Sequence, residues 1–202
     1  MNAIAANIEI SEEDRLRADM YNFLGLLLSN PPSKDTLDKT KALSGDESPM
    51  GAAINTMARV TKATTAKAVE SEFLALFIGL GRGELLPYTS FYLTGFLNEK
   101  PLALLRKDMA GLRISRAPNV YEPEDNIASL LEMMGGMITG RFGEVTPLDQ
   151  QAAFFNKHIG SWAAHFFADL EAAKASVFFA PVGSAGKAFM EIEREAFRMD
   201  AG

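Results

Sequence analysis

The chain has 202 residues, a net charge of −6, two histidines and no cysteine, and 48% of its residues are hydrophobic. That length supports one domain burying roughly 70% of its unfolded surface, and the missing cysteines exclude disulfides, thiolate metal sites and a thiol nucleophile. The acidic balance argues against nucleic acid, which requires a basic face, and the longest apolar patch, residues 21–28, falls well short of the ~20 residues that span a membrane.

Residues 1–10 carry no basic residue and no long apolar run, so a secretory signal is not expected and a cytoplasmic location is. Ser11 followed by Asp14 predicts a helix N-cap, and Leu16, Met20, Phe23, Leu24 and Leu27 then recur at spacings of three and four, one apolar stripe. Asn30-Pro31-Pro32 ends that helix. A shorter helix is predicted over 33–43, then a loop over 45–51 with Pro49 placed to open the next helix, which runs to Lys62. Residues 65–78 read as one helix with Val69, Phe73, Leu76 and Phe77 on one face, stopped by the glycines at 79, 81 and 83.

An aromatic turn follows over 87–96. Asn98 is expected to cap a helix through Leu112, with Leu102, Leu105 and Met109 inward. Residues 114–121 read as a linker, and Pro123 as the start of a helix to Arg141. Thr146-Pro147 has the form of an N-cap and a first-turn proline. Behind it Leu148, Ala152, Phe155, Ile159, Trp162, Phe166 and Leu170 keep one continuous stripe, predicting a single long helix. A last helix covers 184–198 with Phe189, Ile192 and Phe197. No period-two alternation or fixed repeat occurs, so the expected class is all-α, a single helical bundle. It divides into an N-terminal part (11–112), a linker (113–121) and a C-terminal part (122–199).

Most chemical signals have ordinary structural readings. His158, His165 and Asp169 could face one way on a helix, but no metalloprotease or carboxylate-histidine motif accompanies them, and no metal is expected. The glycines at 79–83 lack the strand and the Gly-Lys-Ser/Thr of a phosphate loop. Ser90 and Ser161 stand in no nucleophile-elbow context, so no catalytic residue is assigned. Glu191, Glu193 and Glu195 read as solvated surface, and Met133, Met134 and Met137 as helix-interface filler or an adaptable binding surface.

Two clusters stand out. Pro87-Tyr88-Thr89-Ser90-Phe91-Tyr92 packs three aromatics into six residues, suited to peptide contact. Glu122-Pro123-Glu124-Asp125-Asn126 places three carboxylates at a helix start, where they suit the helix dipole or could accept an arginine.

These segments together resemble the TorD/DmsD family of redox-enzyme maturation chaperones. The likeness runs through Glu72-Phe73-Leu74-Ala75-Leu76-Phe77, the aromatic turn, and the acidic start continued by Ile127-Ala128. It extends to Phe155, His158, Trp162 and Phe166, covering residues 15–197. The resemblance implies an all-helical, non-enzymatic cytoplasmic chaperone without a cofactor of its own. Such a protein binds the twin-arginine leader and apo form of a molybdenum-cofactor oxidoreductase and assists cofactor insertion before export. It implies a peptide-binding set of Phe73, Leu76, Phe77, Pro87, Tyr88, Tyr92, Pro123, Asp125 and Asn126. Where the family usually has histidine, this chain has Asn126, which keeps hydrogen bonding but cannot titrate near neutrality. The family also implies a monomer or a dimer exchanging helices across a hinge near 114–121. A non-exported client, such as a formate dehydrogenase or nitrate reductase subunit, and a guanine nucleotide stand as alternative partners.

Overall fold

Ser11 opens α1 (Glu12–Ser29) by accepting the Asp14 N–H at 3.0 Å, in a computed structural model that describes residues 10–199. Serine or threonine hydroxyls start the next three helices in the same way, satisfying an orphan N–H of each first turn. Ser33 caps α2 (Lys34–Lys41), Ser48 caps α3 (Pro49–Ala63) with Pro49 as its first residue, and Thr65 caps α4 (Ala66–Phe73). The later helices are α5 (Thr89–Thr94), α6 (Lys100–Gly111), α7 (Ile127–Thr139), α8 (Leu148–His158), α9 (Ala163–Ala172) and α10 (Phe179–Met199). Among the described residues the only β pairing is an isolated antiparallel bridge, so the protein is all-α.

Helix α1 packs on α7, α10 lies across both α9 and α3, and α6 and α8 close the remaining side. One continuous apolar core runs from Tyr21 and Leu24 through Met134 to Phe155, Phe166, Phe167 and Phe179, on both sides of residues 113–121. Gly183 lets α10 approach α9 closely: a Cβ there would lie 2.6 Å from the Phe167 carbonyl. Carboxylates from the first half hold the backbone that leads into the last helix. Glu72 accepts the N–H groups of Val177, Phe178 and Phe179 at 2.7–3.0 Å, and Glu84 accepts those of Lys174 and Ala175.

Several predicted boundaries shift, each for a local reason. The helix over 65–78 widens into a π-helical turn at Leu74–Ile78, and Gly79, at φ 60°, stops it. Asn98 is not a side-chain cap; it is left-handed at φ 60°, and Glu99 occupies the cap position. The helix expected from Pro123 begins four residues later, because Glu122 to Asp125 are spent on a turn and Asn126 is the cap. Pro147, not Thr146, takes the cap position of α8, since the Thr146 N–H is tied back to the Met137 carbonyl of α7.

The long helix expected from Leu148 is two helices. Gly160 and Ser161, weak helix formers, interrupt it, and a Cβ at Gly160 would meet the Phe155 ring at 2.9 Å. The freed His158 carbonyl accepts the Trp162 indole N–H at 2.8 Å instead of a helical N–H. His158 and His165 therefore sit on different helices, and Asp169 is taken by Tyr92. Among the described residues no three metal-ligating side chains converge.

The last helix starts at Phe179 rather than 184, and Glu193, expected in solvent, is buried. The methionines of α7 are all buried, filling a helix interface. Leu16 and Ile192, expected in the core, are exposed. In α1 the buried face includes the small residues Ala18 and Gly25, and at Gly25 α7 approaches so closely that a Cβ would lie 3.3 Å from the Ala128 carbonyl. No described helix is long and apolar enough to cross a membrane.

Candidate functional site

The two clusters singled out in the sequence, more than thirty residues apart, are zipped together. Tyr88 pairs with Asn126 in the antiparallel bridge. Ile127 donates its N–H to the Pro87 carbonyl at 2.8 Å, and Thr89 donates to the Asp125 carbonyl at 3.0 Å. The aromatic turn is thereby held against the start of α7, and each segment begins a helix just past the bridge.

Asp125 works from below this bridge. Its carboxylate is fully buried and accepts the Ser90 N–H at 2.8 Å, while Oδ1 and the Ser90 hydroxyl have no hydrogen-bond partner. Ser90 is the second residue of α5, so Asp125 satisfies from outside an N–H that the helix leaves orphaned. Asn126 performs the equivalent service for α7, accepting the Ala128 N–H at 2.9 Å. Asparagine is among the preferred N-cap residues, which gives Asn126 a structural role that needs no titratable ring.

A groove of about 690 Å³ opens above the bridge. Phe73, Leu74, Phe77 and Ile78 form one wall, Leu28 to Pro31 at the end of α1 another, and Pro87, Tyr88 and Asn126 the floor. Val120 and Tyr121 overhang it from the 113–121 segment, with Tyr121 almost fully exposed. Within that segment Ile114 is buried and Arg116 lies 3.8 Å from the buried Glu124, which Arg106 of α6 holds at 2.8 Å. Burial alone would raise the Glu124 pKa; the hydrogen bond and charge of Arg106, with Arg116, lower it.

The acidic side chains facing the groove are Glu122 and Glu132. Glu122 accepts the Tyr88 hydroxyl and the Asn126 amide. Burial, reinforced by Glu122, raises the Tyr88 pKa, so the phenol stays a donor. Glu132 is exposed and forms no ion pair among the described residues. The groove therefore offers an apolar wall and uncommitted negative charge together.

Of the residues expected to bind peptide, Phe73, Phe77, Pro87, Tyr88 and Asn126 line this groove. Leu76 is core, and Asp125 lies beneath the floor. Pro123 sits in the turn before α7, its carbonyl accepting the Asn126 N–H. Tyr92 faces the other way: its ring packs 5.0 Å from Trp162 and its hydroxyl donates to Asp169 at 2.8 Å. Glu132, Leu74, Ile78 and Tyr121 join the groove without having been expected there. For Glu132 the signal was available, as a lone carboxylate in an otherwise apolar helix.

A family model described as the nitrate reductase delta subunit matches residues 44–168. The chain is 25% identical over 179 residues to the chaperone protein TorD of Aliivibrio fischeri, covering 78% of this chain and 83% of that one. It is 24% identical over 202 residues to the TorD of Vibrio atlanticus, covering 89% and 93%. Among solved structures it resembles a protein assigned to redox enzyme maturation from Archaeoglobus fulgidus. That match has a TM-score of 0.57 and 19% identity, and it covers 94% of this chain and 99% of the other.

Proposed function

The chain belongs to the nitrate reductase delta subunit family, and on that premise we propose that it is a molybdoenzyme maturation chaperone whose groove binds the twin-arginine leader of its client. Its curated relatives are named as chaperones, in keeping with a binding protein rather than an enzyme.

The observation that carries this reading is the pairing of apolar wall and free carboxylate in one groove. A leader joins an arginine pair to an apolar stretch, and the groove complements both halves. Phe73, Leu74, Phe77 and Ile78 would take the apolar stretch, and Glu122 and Glu132 the guanidinium groups. Guanidinium presents planar, forked donors that a carboxylate accepts in pairs, whereas lysine offers a point charge. Asp125 would serve the site by fixing the bridge that carries Tyr88.

Calorimetric titration with synthetic leaders, each beside a twin-lysine control, tests the proposal. One leader should bind at micromolar Kd or tighter and its control at least about ten-fold more weakly, with Tyr88→Ala weakening the leader through lost apolar contact. Equal binding of leader and control, or no binding to any leader, would overturn it. A client without an exported leader is the second reading, favoured by the family's description as a nitrate reductase subunit. It predicts binding to the apo form of the mature client and not to a leader.

A further inference from the structure

A second groove opens at the other end of α1. Leu16 and Ile192 are 65% and 49% exposed. With Met20, Met50 and Phe189 they line a cleft of about 540 Å³ between the starts of α1 and α3 and the end of α10. Leucine, isoleucine and two methionines gathered at one open mouth exceed the scattered apolar exposure normal for a surface. Methionine is also the side chain that repacks most readily against varied partners.

The unpaired charge at this mouth has one sign. Arg17 reaches the cleft but is committed to Glu193 and Asp14, both at 2.8 Å. Glu12 and Glu13 stand on the rim with no ion-pair partner among the described residues. The N-terminus of α1 offsets about half a charge, which two carboxylates exceed. An apolar floor beneath uncompensated carboxylates fits a segment that is apolar on one side and cationic on the other.

We infer that this cleft is a docking site for a basic amphipathic helix of a partner polypeptide, its apolar side on Leu16, Met20 and Ile192 and its cations on Glu12 and Glu13. The site is separate from the leader groove. No residue lines both, and the stretches of α1 that line them, residues 12–20 and 28–29, are centred about 19 Å apart along the helix. The inference goes beyond the leader reading and stands without it. If both sites engage one client, the second contact becomes intramolecular and raises the overall affinity through effective concentration.

The experiment uses methyl NMR of the full chain labelled at methionine, because Met20 and Met50 line this cleft and no methionine lines the leader groove. The probe is a synthetic amphipathic helix of leucine and lysine, about 18 residues long, with a leucine–glutamate helix of the same pattern as control. The Met20 and Met50 methyls should shift saturably with the lysine peptide and not with the control. Leu16→Ser combined with Ile192→Ser should weaken the lysine peptide about ten-fold or more; both side chains are exposed, so folding is preserved. Tyr88→Ala should leave these shifts unchanged. No response at Met20 and Met50, or equal response to both peptides, would overturn the inference. So would methyl shifts that change on dilution without peptide, which would mean that a second copy covers the cleft. Shifts that change on deleting residues 1–9 would overturn it too, since the chain would then cover the cleft itself. A failed leader titration with the Met20 and Met50 response intact would sink the leader reading alone.

Discussion

Arg17 and Glu193 meet through two parallel hydrogen bonds of 2.8 Å, and the Tyr21 hydroxyl donates a third to the same carboxylate at 2.9 Å. The pair joins the first helix to the last. Glu193 is almost fully buried, so its charge is held by these bonds rather than by water. Burial alone would lower the Arg17 pKa; the bonds and charge of Glu193, helped by Asp14, more than reverse that and raise it. Burial beside Glu193 raises the Tyr21 pKa and keeps the phenol a donor.

Removing Glu193 leaves Arg17 paired with Asp14 alone and the Tyr21 hydroxyl without its acceptor, a cost at the lower end of the about 3–5 kcal/mol of a broken buried pair. Glu193→Ala is expected to lose that much in urea unfolding, and Glu193→Gln less, because it retains an acceptor. A loss under about 1 kcal/mol for the alanine variant, the range of exposed pairs, would contradict the buried-pair account.

Acid should destabilise the fold from near neutrality downward. His158 is buried with its Nε2 at 2.7 Å from Asp108, which also meets Lys157 at 2.6 Å. Burial lowers the His158 pKa despite Asp108. The unfolded chain therefore takes up this proton first, near pH 6.5, and the stability held above that pH is lost as pH falls. Burial would raise the Asp108 pKa, but the Lys157 and His158 bonds lower it, so the loss continues through the carboxylate range. The urea midpoint should be lower at pH 5 than at pH 7.5, and His158→Asn should flatten that slope. A midpoint that holds or rises toward acid would refute the assignment.

Asp125 should act through position. Asp125→Ala removes the acceptor for the Ser90 N–H, and an orphaned buried donor costs about 1–3 kcal/mol. Asp125→Asn keeps an acceptor at that place. The alanine variant should therefore lose both stability and leader affinity, and the asparagine variant should stay near the parent in both. If Asp125→Asn lost leader affinity at unchanged stability, the carboxylate would instead be meeting the leader itself.

The helix content of this protein was legible from spacing, because a face that must be buried repeats every three to four residues whatever lies against it. The cap at Ser11 was equally local, since a hydroxyl reaches an N–H within its own turn. The break at Gly160 escaped the same logic. Ile159, Trp162 and Phe166 stay buried across it, so the stripe continues while the helix does not. The two candidate clusters could be named from composition, but their meeting could not.

What the sequence determined by itself was the all-helical class, most of the helices and the two segments that carry the groove. Tertiary structure decided what those segments do. The Tyr88–Asn126 bridge turns Tyr88 into the groove, Tyr92 points away to Asp169, and Asp125 goes beneath the floor to hold Ser90. It also buried Glu193 and exposed Leu16. The periodicity of one helix tells which residues share a face, but the partner packed on that face decides whether a charge there is solvated or paired. Arg17 is 176 residues from Glu193, and no local pattern carries that distance.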